Sequence, residues 1–307
     1  MPDWTKSMQR TYEYYLVDPL SWCDKSRITC VKSSTIERDS SEATTGHATL
    51  EVTESLNECY VRIYMVVIQN GVTEKFPLAT VLAQTPGNDF DGKIASMSID
   101  AYMPLVELKE TLPPYGFTVM KNANIMENAC KNIQEHMRAP LIVTESKKTL
   151  VENFVSNTDD TWLTFNSDLI AKADFSFSTD EMGTVTFSPK RELEAMQPVV
   201  TFGDDEHSIL QPSISTEYDL YGVPNVVEVI YSGDNQFFKS RIENNDPTSI
   251  TSTVNRGREI LYRDTNPNIT GTVSQSILDT YAKNLLKAKS TLEYKVTFKH
   301  AYYPVRV

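Results

Sequence analysis

The run Tyr60-Val61-Arg62-Ile63-Tyr64-Met65-Val66-Val67-Ile68 constrains this chain more than any other stretch. Aromatic and β-branched side chains fill it, a composition that favours a pleated, half-buried backbone. Asn70-Gly71 follows at once, and the same character resumes from Thr73 to Leu82. An Asn-Gly pair between two such runs predicts a hairpin closed by a tight turn, because both residues accept positive φ. A lone hairpin is marginal in water, so this one must belong to a larger sheet.

Its surroundings supply candidate partners. Tyr12 to Val17 is an aromatic strand stopped by Asp18-Pro19. Ile28 to Val31, Ala48 to Val52 and Ile94 to Tyr102 read as further strands, and Thr85 to Asp89 with Asp91-Gly92 reads as a loop. Short strands at regular spacing suggest a barrel or a sandwich.

The period changes near residue 103. Leu105, Val106, Leu108 and Leu112 predict a short helical stretch ended by Pro113-Pro114. Asn124 to His136 predicts a helix burying Ile125, Ala129, Ile133 and Met137. Ala139 to Val143 returns to strand. A second helix is expected over Thr161 to Ala173, with Trp162, Phe165, Leu169 and Ile170 inward and Asp159 or Asp160 as its cap. Phe175 to Phe187 reads as a hairpin. Strands then resume with Val226 to Tyr231, turning at Ser232-Gly233-Asp234. Thr272 to Gln275 matches a capping box. The helix it opens carries Ile277, Tyr281 and Leu285 beside Leu278, Ala282 and Leu286. Leu292, Tyr294, Val296 and Phe298 then alternate with polar residues as one face of a closing strand.

The 307 residues suffice for two ordinary domains or three small ones. With 29 basic against 41 acidic residues, the formal charge of −12 argues against a nucleic-acid reader, which would present a basic face. There is no apolar run long enough for a membrane helix. The first residues lack the apolar segment of a secretory signal, so synthesis in a cytoplasm is expected. Cys23, Cys30, Cys59 and Cys130 are scattered, with no zinc spacing, and read as reduced thiols.

Little in the sequence suggests catalysis. His47, His136, His207 and His300 have no neighbouring nucleophile, and no phosphate loop or hydrolase elbow occurs. Asp204-Asp205-Glu206-His207 is the best candidate metal ligand set, but it lacks the spaced oxygens and turn glycine of a calcium loop, so a solvated acidic loop is expected. Carboxylates are too abundant for any pair to identify a glycosidase. Tyr12, Tyr14, Tyr15 and Trp22 suit either a sugar platform or, more often, a core or interface. Asn268-Ile269-Thr270 is read as a turn.

Several blocks resemble, in order, the hub proteins of phage tail tips and baseplates, a superfamily that includes late control protein D and the hub part of type VI secretion spikes. Arg10 to Pro19 resembles the opening strand of such proteins. Ser34 to Asp39 and Glu42 to Ala48 are similar to the stretch that begins the first tube-like barrel. Phe76-Pro77-Leu78-Ala79-Thr80 to Thr85-Pro86 resembles a strand and turn of the family, completed by Asp100-Ala101-Tyr102 and Leu105. Phe165 to Ile170 resembles the short helix before a hairpin. Ser208 to Pro212 and Tyr218 to Val227 resemble the entry into a second barrel, and the helix around Tyr281-Ala282 with the last strand resembles the family's end. Such proteins often continue past a Tyr-Pro into a Gly-Asp turn and a further strand. Here Tyr303-Pro304 is followed by Val305-Arg306-Val307, so that strand is missing, cleaved or supplied by a neighbour.

The resemblance implies a mainly β chain in which two tube-like β-barrel domains, residues 1–120 and 198–307, flank a small α+β module, residues 121–197. It implies a homotrimeric virion protein without enzymatic activity, adapting a sixfold tail tube or distal tail ring to a threefold tip. The expected partners are those rings, a central spike, fibre or other baseplate proteins, and genomic DNA or tape measure passing through the lumen. The hairpin from Tyr60 to Leu82 and the strand from Val226 to Tyr231 are the ring candidates, braced by the helix from Ser274 to Lys289. No catalytic, cofactor-binding or metal-binding residue is assigned. The rival expectations are a carbohydrate-binding tail protein and a peptidoglycan hydrolase.

Overall fold

The hairpin forms as the Asn-Gly pair dictates. In the computed structural model, strands β1 (Gln9–Val17), β2 (Asp24–Ile28), β3 (Val31–Arg38), β4 (Gly46–Val52), β5 (Cys59–Gln69), β6 (Val72–Phe90) and β7 (Ala95–Tyr102) make one seven-stranded sheet in the order β2-β1-β5-β6-β7-β4-β3. Gln69 pairs with Val72. The two residues between them, Asn70 and Gly71, sit at φ 51° and 78°, as a primed turn requires. The structure describes residues 2–90, 95–190, 197–198, 201, 203, 210–211, 213–233, 236–265, 267, 269, 273–292 and 294–303.

The sheet curls. Its edge strands β2 and β3 are consecutive in the chain, joined only by Thr29 and Cys30. That link holds the two edges within about 11 Å at one corner. All seven strands contribute to a single core, from Tyr14 and Ile28 at one edge through Val61, Ile63, Val81 and Ile99 to Leu50, Val31 and Ile36 at the other. Tyr14 on β1 reaches across this interior to the Ser34 hydroxyl on β3, 3.1 Å away. Yet β2 and β3 do not pair among the described residues, so the closed barrel expected from the sequence is not seen. Both edges are bulged. Lys25 is the unpaired residue where Leu16 faces Ser26 and Val17 faces Asp24. Lys32 is the unpaired residue between Val31 and Ser33. A bulge carrying lysine is a device that keeps an edge strand from pairing further.

Strand β6 runs through Thr85-Pro86-Gly87, where the sequence predicts a loop. A shift in register at Gln84 passes it from β5 on one side to β7 on the other. Pro86 is tolerated because β5 pairs no further than Cys59 with Ala83, leaving that side of β6 an edge.

Two compact units follow from the contact pattern, Met1–Val199 and Val200–Val307. The rest of the first comprises α1 (Val106–Lys109), β8 (Thr118–Val119), α2 (Ile125–His136), β9 (Leu141–Val143), β10 (Phe154–Val155), α3 (Trp162–Ala171), β11 (Phe175–Thr179) and β12 (Val185–Pro189). The sheet β11-β12-β9 shares a core with the helices, built from Ile125, Ala129, Ile133, Phe165, Leu169 and Phe187 among others. The Asn124 side chain caps α2 by accepting from the Met126 and Glu127 amides. Thr161, and not Asp159 or Asp160, caps α3, in a capping box with Thr164. Asp160 instead accepts from the Asn157 amide at 2.7 Å.

The second unit contains β13 (Ser215–Tyr218), β14 (Val226–Gly233), β15 (Gln236–Glu243), α4 (Thr253–Arg256), β16 (Leu261–Asp264), α5 (Gln275–Ser290) and β17 (Tyr294–Thr297). Its strands form a β15-β14-β16 sheet and a β13-β17 ribbon, so no barrel closes among the described residues here either. Leu278, Ala282 and Leu286 of α5 pack on Val227 and Val229 of β14, with Tyr281 and Leu285 at the margin. Ile277 is exposed. Ser274 caps α5 by accepting from the Ile277 amide. Of the expected capping box, Thr272 lies outside the described residues, and the Gln275 side chain is spent on the Lys239 carbonyl and Asp279.

Candidate functional site

The charged junction built on Arg62 is the most organised polar cluster of the first unit. Alternation along β5 places Val61 and Ile63 in the curled core and turns Arg62 to the outer face. There it is nevertheless 1% exposed, because two segments close over it. One is the turn between β1 and β2, where Trp22 is held at φ 57° and its amide donates to the Asp18 carbonyl. The other is the tip of the β11-β12 hairpin, Asp180 to Thr184. Gly183 at φ 77° makes that tip possible, since a left-handed backbone is costly for other residues.

All three nitrogens of the guanidinium donate. Nε donates to Thr80 Oγ1 at 2.9 Å, Nη1 to Asp24 at 2.7 Å, and Nη2 to the carbonyls of Trp22 and Met182 at 3.1 and 3.2 Å. The Trp22 indole also donates to the Met182 carbonyl, at 2.8 Å. The Thr80 hydroxyl in turn donates to the Glu181 carbonyl, and Arg38 pairs with the Glu181 carboxylate at 3.0 Å. Asp24 accepts from the Tyr64 hydroxyl at 2.7 Å. Burial, and then this bond to Asp24, push the Tyr64 hydroxyl up to about 12. An ion pair with its guanidinium buried and its carboxylate at the surface fixes geometry more than it adds stability. Chemically the cluster positions; it offers no unengaged acid, base or nucleophile.

A second polar patch lies between α1 and the residues after α2. Arg138 pairs with Glu107 and lies 5.2 Å from the Tyr60 ring centre. Burial, then the Glu107 charge, push the Tyr60 hydroxyl far above its ordinary value. Neither effect prepares a group for proton transfer near neutral pH.

The residues singled out from the sequence are not brought together. His47 faces Glu37 and Glu42, His136 stacks on Trp162 at 4.3 Å, and His300 bridges to Leu210. His207 and the rest of Asp204-Asp205-Glu206-His207 lie outside the described residues. Among the described residues no three His, Cys, Asp or Glu side chains gather as a metal set. The four cysteines form no disulfide, and burial raises the thiols of Cys59 and Cys130. The four aromatics divide. Tyr14 is in the core, Trp22 packs on Tyr60, and the Tyr15 ring carries the Lys75 ammonium at 3.8 Å, shared with Tyr64 at 4.0 Å. Tyr12 alone of the four is openly exposed. No helix is long and apolar enough to cross a membrane among the described residues. Sequence reasoning missed Arg62, whose burial depends on a hairpin 120 residues away. The one local signal was an arginine inside an otherwise apolar strand.

Comparison with known proteins places this architecture. No family model matches the sequence, and no curated protein matches it. Solved structures do. The tail protein from Neisseria meningitidis MC58 superposes with a TM-score of 0.65 over 96% of this chain and 82% of its own, at 10% identity. The 43 kDa tail protein of prophage MuSo2 from Shewanella oneidensis gives 0.60 over 92% and 78%, at 11% identity. A chain of the Francisella PdpA-VgrG complex gives 0.52 over 88% of this chain but 46% of its own, at 7% identity. The fold is therefore the one seen in these two tail proteins and in that chain of the PdpA-VgrG complex. At identities of 7–11% the likeness is one of fold.

Proposed function

We propose that this chain is a structural subunit of a phage tail tip or baseplate, a homotrimeric hub with no enzymatic turnover. Residues 1–120 and 198–307 act as two tube-like domains flanking the module of residues 121–197. Three copies then present six similar units around a channel, so that a sixfold tube or distal ring mates with a threefold tip. DNA and tape measure pass through the lumen, and a spike, fibre or other baseplate protein docks below. The likeness of nearly the whole chain to a tail protein carries this reading. The curled seven-stranded sheet and its lysine-bulged edges support it. A ring subunit needs a tube wall whose edges do not polymerise at random, and a heterologous contact repeated by rotation closes into a ring. The Francisella complex offers a parallel for a chain of this fold held with a partner.

A sugar-binding or hydrolytic role draws no support from a specific observation, because three of the four candidate aromatics are already engaged. Negative-stain imaging of the purified protein mixed with the tail tube protein tests the hub reading. Threefold rings capping tube ends are expected. Absence of any ring or tube-bound density at saturating protein contradicts it.

A further inference from the structure

Two strained backbones of the first unit touch the same hairpin. Among the described residues of that unit, the non-glycine residues at positive φ are Trp22, Thr45, Asn70, Asn122 and Asp174. Asparagine and aspartate enter the left-handed region readily, whereas a bulky or β-branched residue there is strained. That leaves Trp22 at φ 57° and Thr45 at φ 64°. They belong to different turns, one between β1 and β2, the other between β3 and β4. Both meet the tip of the β11-β12 hairpin. The Trp22 indole donates to the Met182 carbonyl at 2.8 Å, and the Thr45 hydroxyl lies 3.0 Å from Thr179 Oγ1. Strain of this kind persists only where the surroundings over-determine it, and the hairpin supplies part of those surroundings on both sides.

The hold on the tip is mostly polar. Arg38 pairs with the Glu181 carboxylate, Arg62 donates to the Met182 carbonyl, and the Thr80 hydroxyl donates to the Glu181 carbonyl. None of the residues from Thr179 to Thr184 contributes to the hydrophobic core of the sheet or of the α+β module. Trp22 is the apolar bridge, packed against the module core and against the cluster of Val17, Tyr60, Leu82 and Val106. The base of the hairpin is anchored differently, with Phe175, Val185 and Phe187 inside the module core. A segment with few buried apolar contacts opens locally at less cost than the whole domain. The tip can therefore leave while the base stays.

We infer that the hairpin tip is a latch with two states. Docked, it holds Trp22 and Thr45 in left-handed backbone. Released, it lets both turns relax to ordinary backbone and uncovers the Arg62 guanidinium, while the two hydrophobic cores stay intact. The latch is a point at which the α+β module loosens from the curled sheet without unfolding. It concerns contacts within one chain, so it stands apart from the hub reading.

Hydrogen exchange followed by NMR on the full chain tests this. The probe is the Trp22 indole N–H, which is bonded across the junction; the slowest amides of β5 report global unfolding. The indole should report an opening roughly a hundredfold or more as frequent as global unfolding. Thr45→Asn admits left-handed φ and keeps a polar side chain. By relieving strain in the other turn, it should slow exchange of the Trp22 indole about tenfold. Thr179→Val removes the hydroxyl that Thr45 meets and should speed that exchange. A purely local role for Thr45 would leave the indole, in a different turn, unmoved. If Thr179→Val does not fold, Thr45→Asn decides alone. An indole that exchanges no faster than the slowest β5 amides would overturn the inference. So would an indole rate that Thr45→Asn leaves unchanged or raises.

Discussion

Arg62, in the middle of β5, donates to the carbonyl of Met182, 120 residues later at the tip of the β11-β12 hairpin. This contact fastens the α+β module to the outer face of the curled sheet. It does so with a buried guanidinium whose countercharge, Asp24, comes from an edge strand. Three segments distant in sequence thus meet on one side chain, so its neighbours are the places where the account is most exposed to test.

Removing the countercharge should be costly. Asp24→Ala leaves the Arg62 charge buried without a carboxylate, a class of change that costs about 3–5 kcal/mol. Arg62→Met removes the charge itself, leaves Met182 its indole donor, and should cost less. Urea denaturation of the two variants gives the order directly; an Arg62→Met loss exceeding that of Asp24→Ala would show that the guanidinium is not effectively buried.

Gly183→Ala should loosen the junction. A Cβ there would stand 2.9 Å from Thr80 Cβ and 3.0 Å from Trp22 Cζ2, on a backbone at φ +77°. The left-handed conformation alone costs about 1–2 kcal/mol. A lowered denaturation midpoint with a red shift of tryptophan fluorescence is expected, whereas Gly71→Ala meets nothing within 4 Å and should leave the tryptophan signal unchanged.

Acid should weaken the second unit through Glu228. Lys239 first and Arg263 second hold its carboxyl below the ordinary carboxylate range, each at 2.6 Å. A carboxyl depressed by folding contributes stability that is fully present above its unfolded pKa and is lost as pH falls through the folded one. The denaturation midpoint should therefore fall as pH drops below the ordinary carboxylate value, and Glu228→Gln should flatten that part of the profile. An unaltered profile in the variant would remove Glu228 from the explanation.

The face of α5 can be read by substitution. Leu286 is buried against β14, while Leu285 sits at the margin. Leu286→Ala should cost about 2–5 kcal/mol, and Leu285→Ala less. Leu285→Asp should likewise be better tolerated than Leu286→Asp, which buries an unpaired charge. Equal losses at the two positions would mean that the helix is rotated.

What the sequence reveals and what it hides separate along physical lines. The β5-β6 turn was legible because Asn70 and Gly71 carry their conformation locally. The helices α2 and α3 were legible through their apolar spacing, although the α3 cap fell to Thr161 and not to a neighbouring aspartate. Strand β2 was hidden because Asp24 to Arg27 carry no strand signal, and the strand expected over Ile28 to Val31 splits between the end of β2 and the start of β3. Asp24 to Arg27 become strand because β1 supplies hydrogen bonds and Arg27 finds Glu13 at 3.3 Å. The continuation of β6 through Pro86 was hidden for the same reason: a partner strand, not a propensity, decides it. The junction was hidden most deeply, since nothing local marks Arg62 as buried until the hairpin tip arrives.

The mass of the purified protein by light scattering, alone and mixed with the other tail proteins, tests the central claim most directly. The account predicts a trimer, or a monomer that becomes a trimer when the tube ring is added. A stable monomer that ignores every tail component would contradict it.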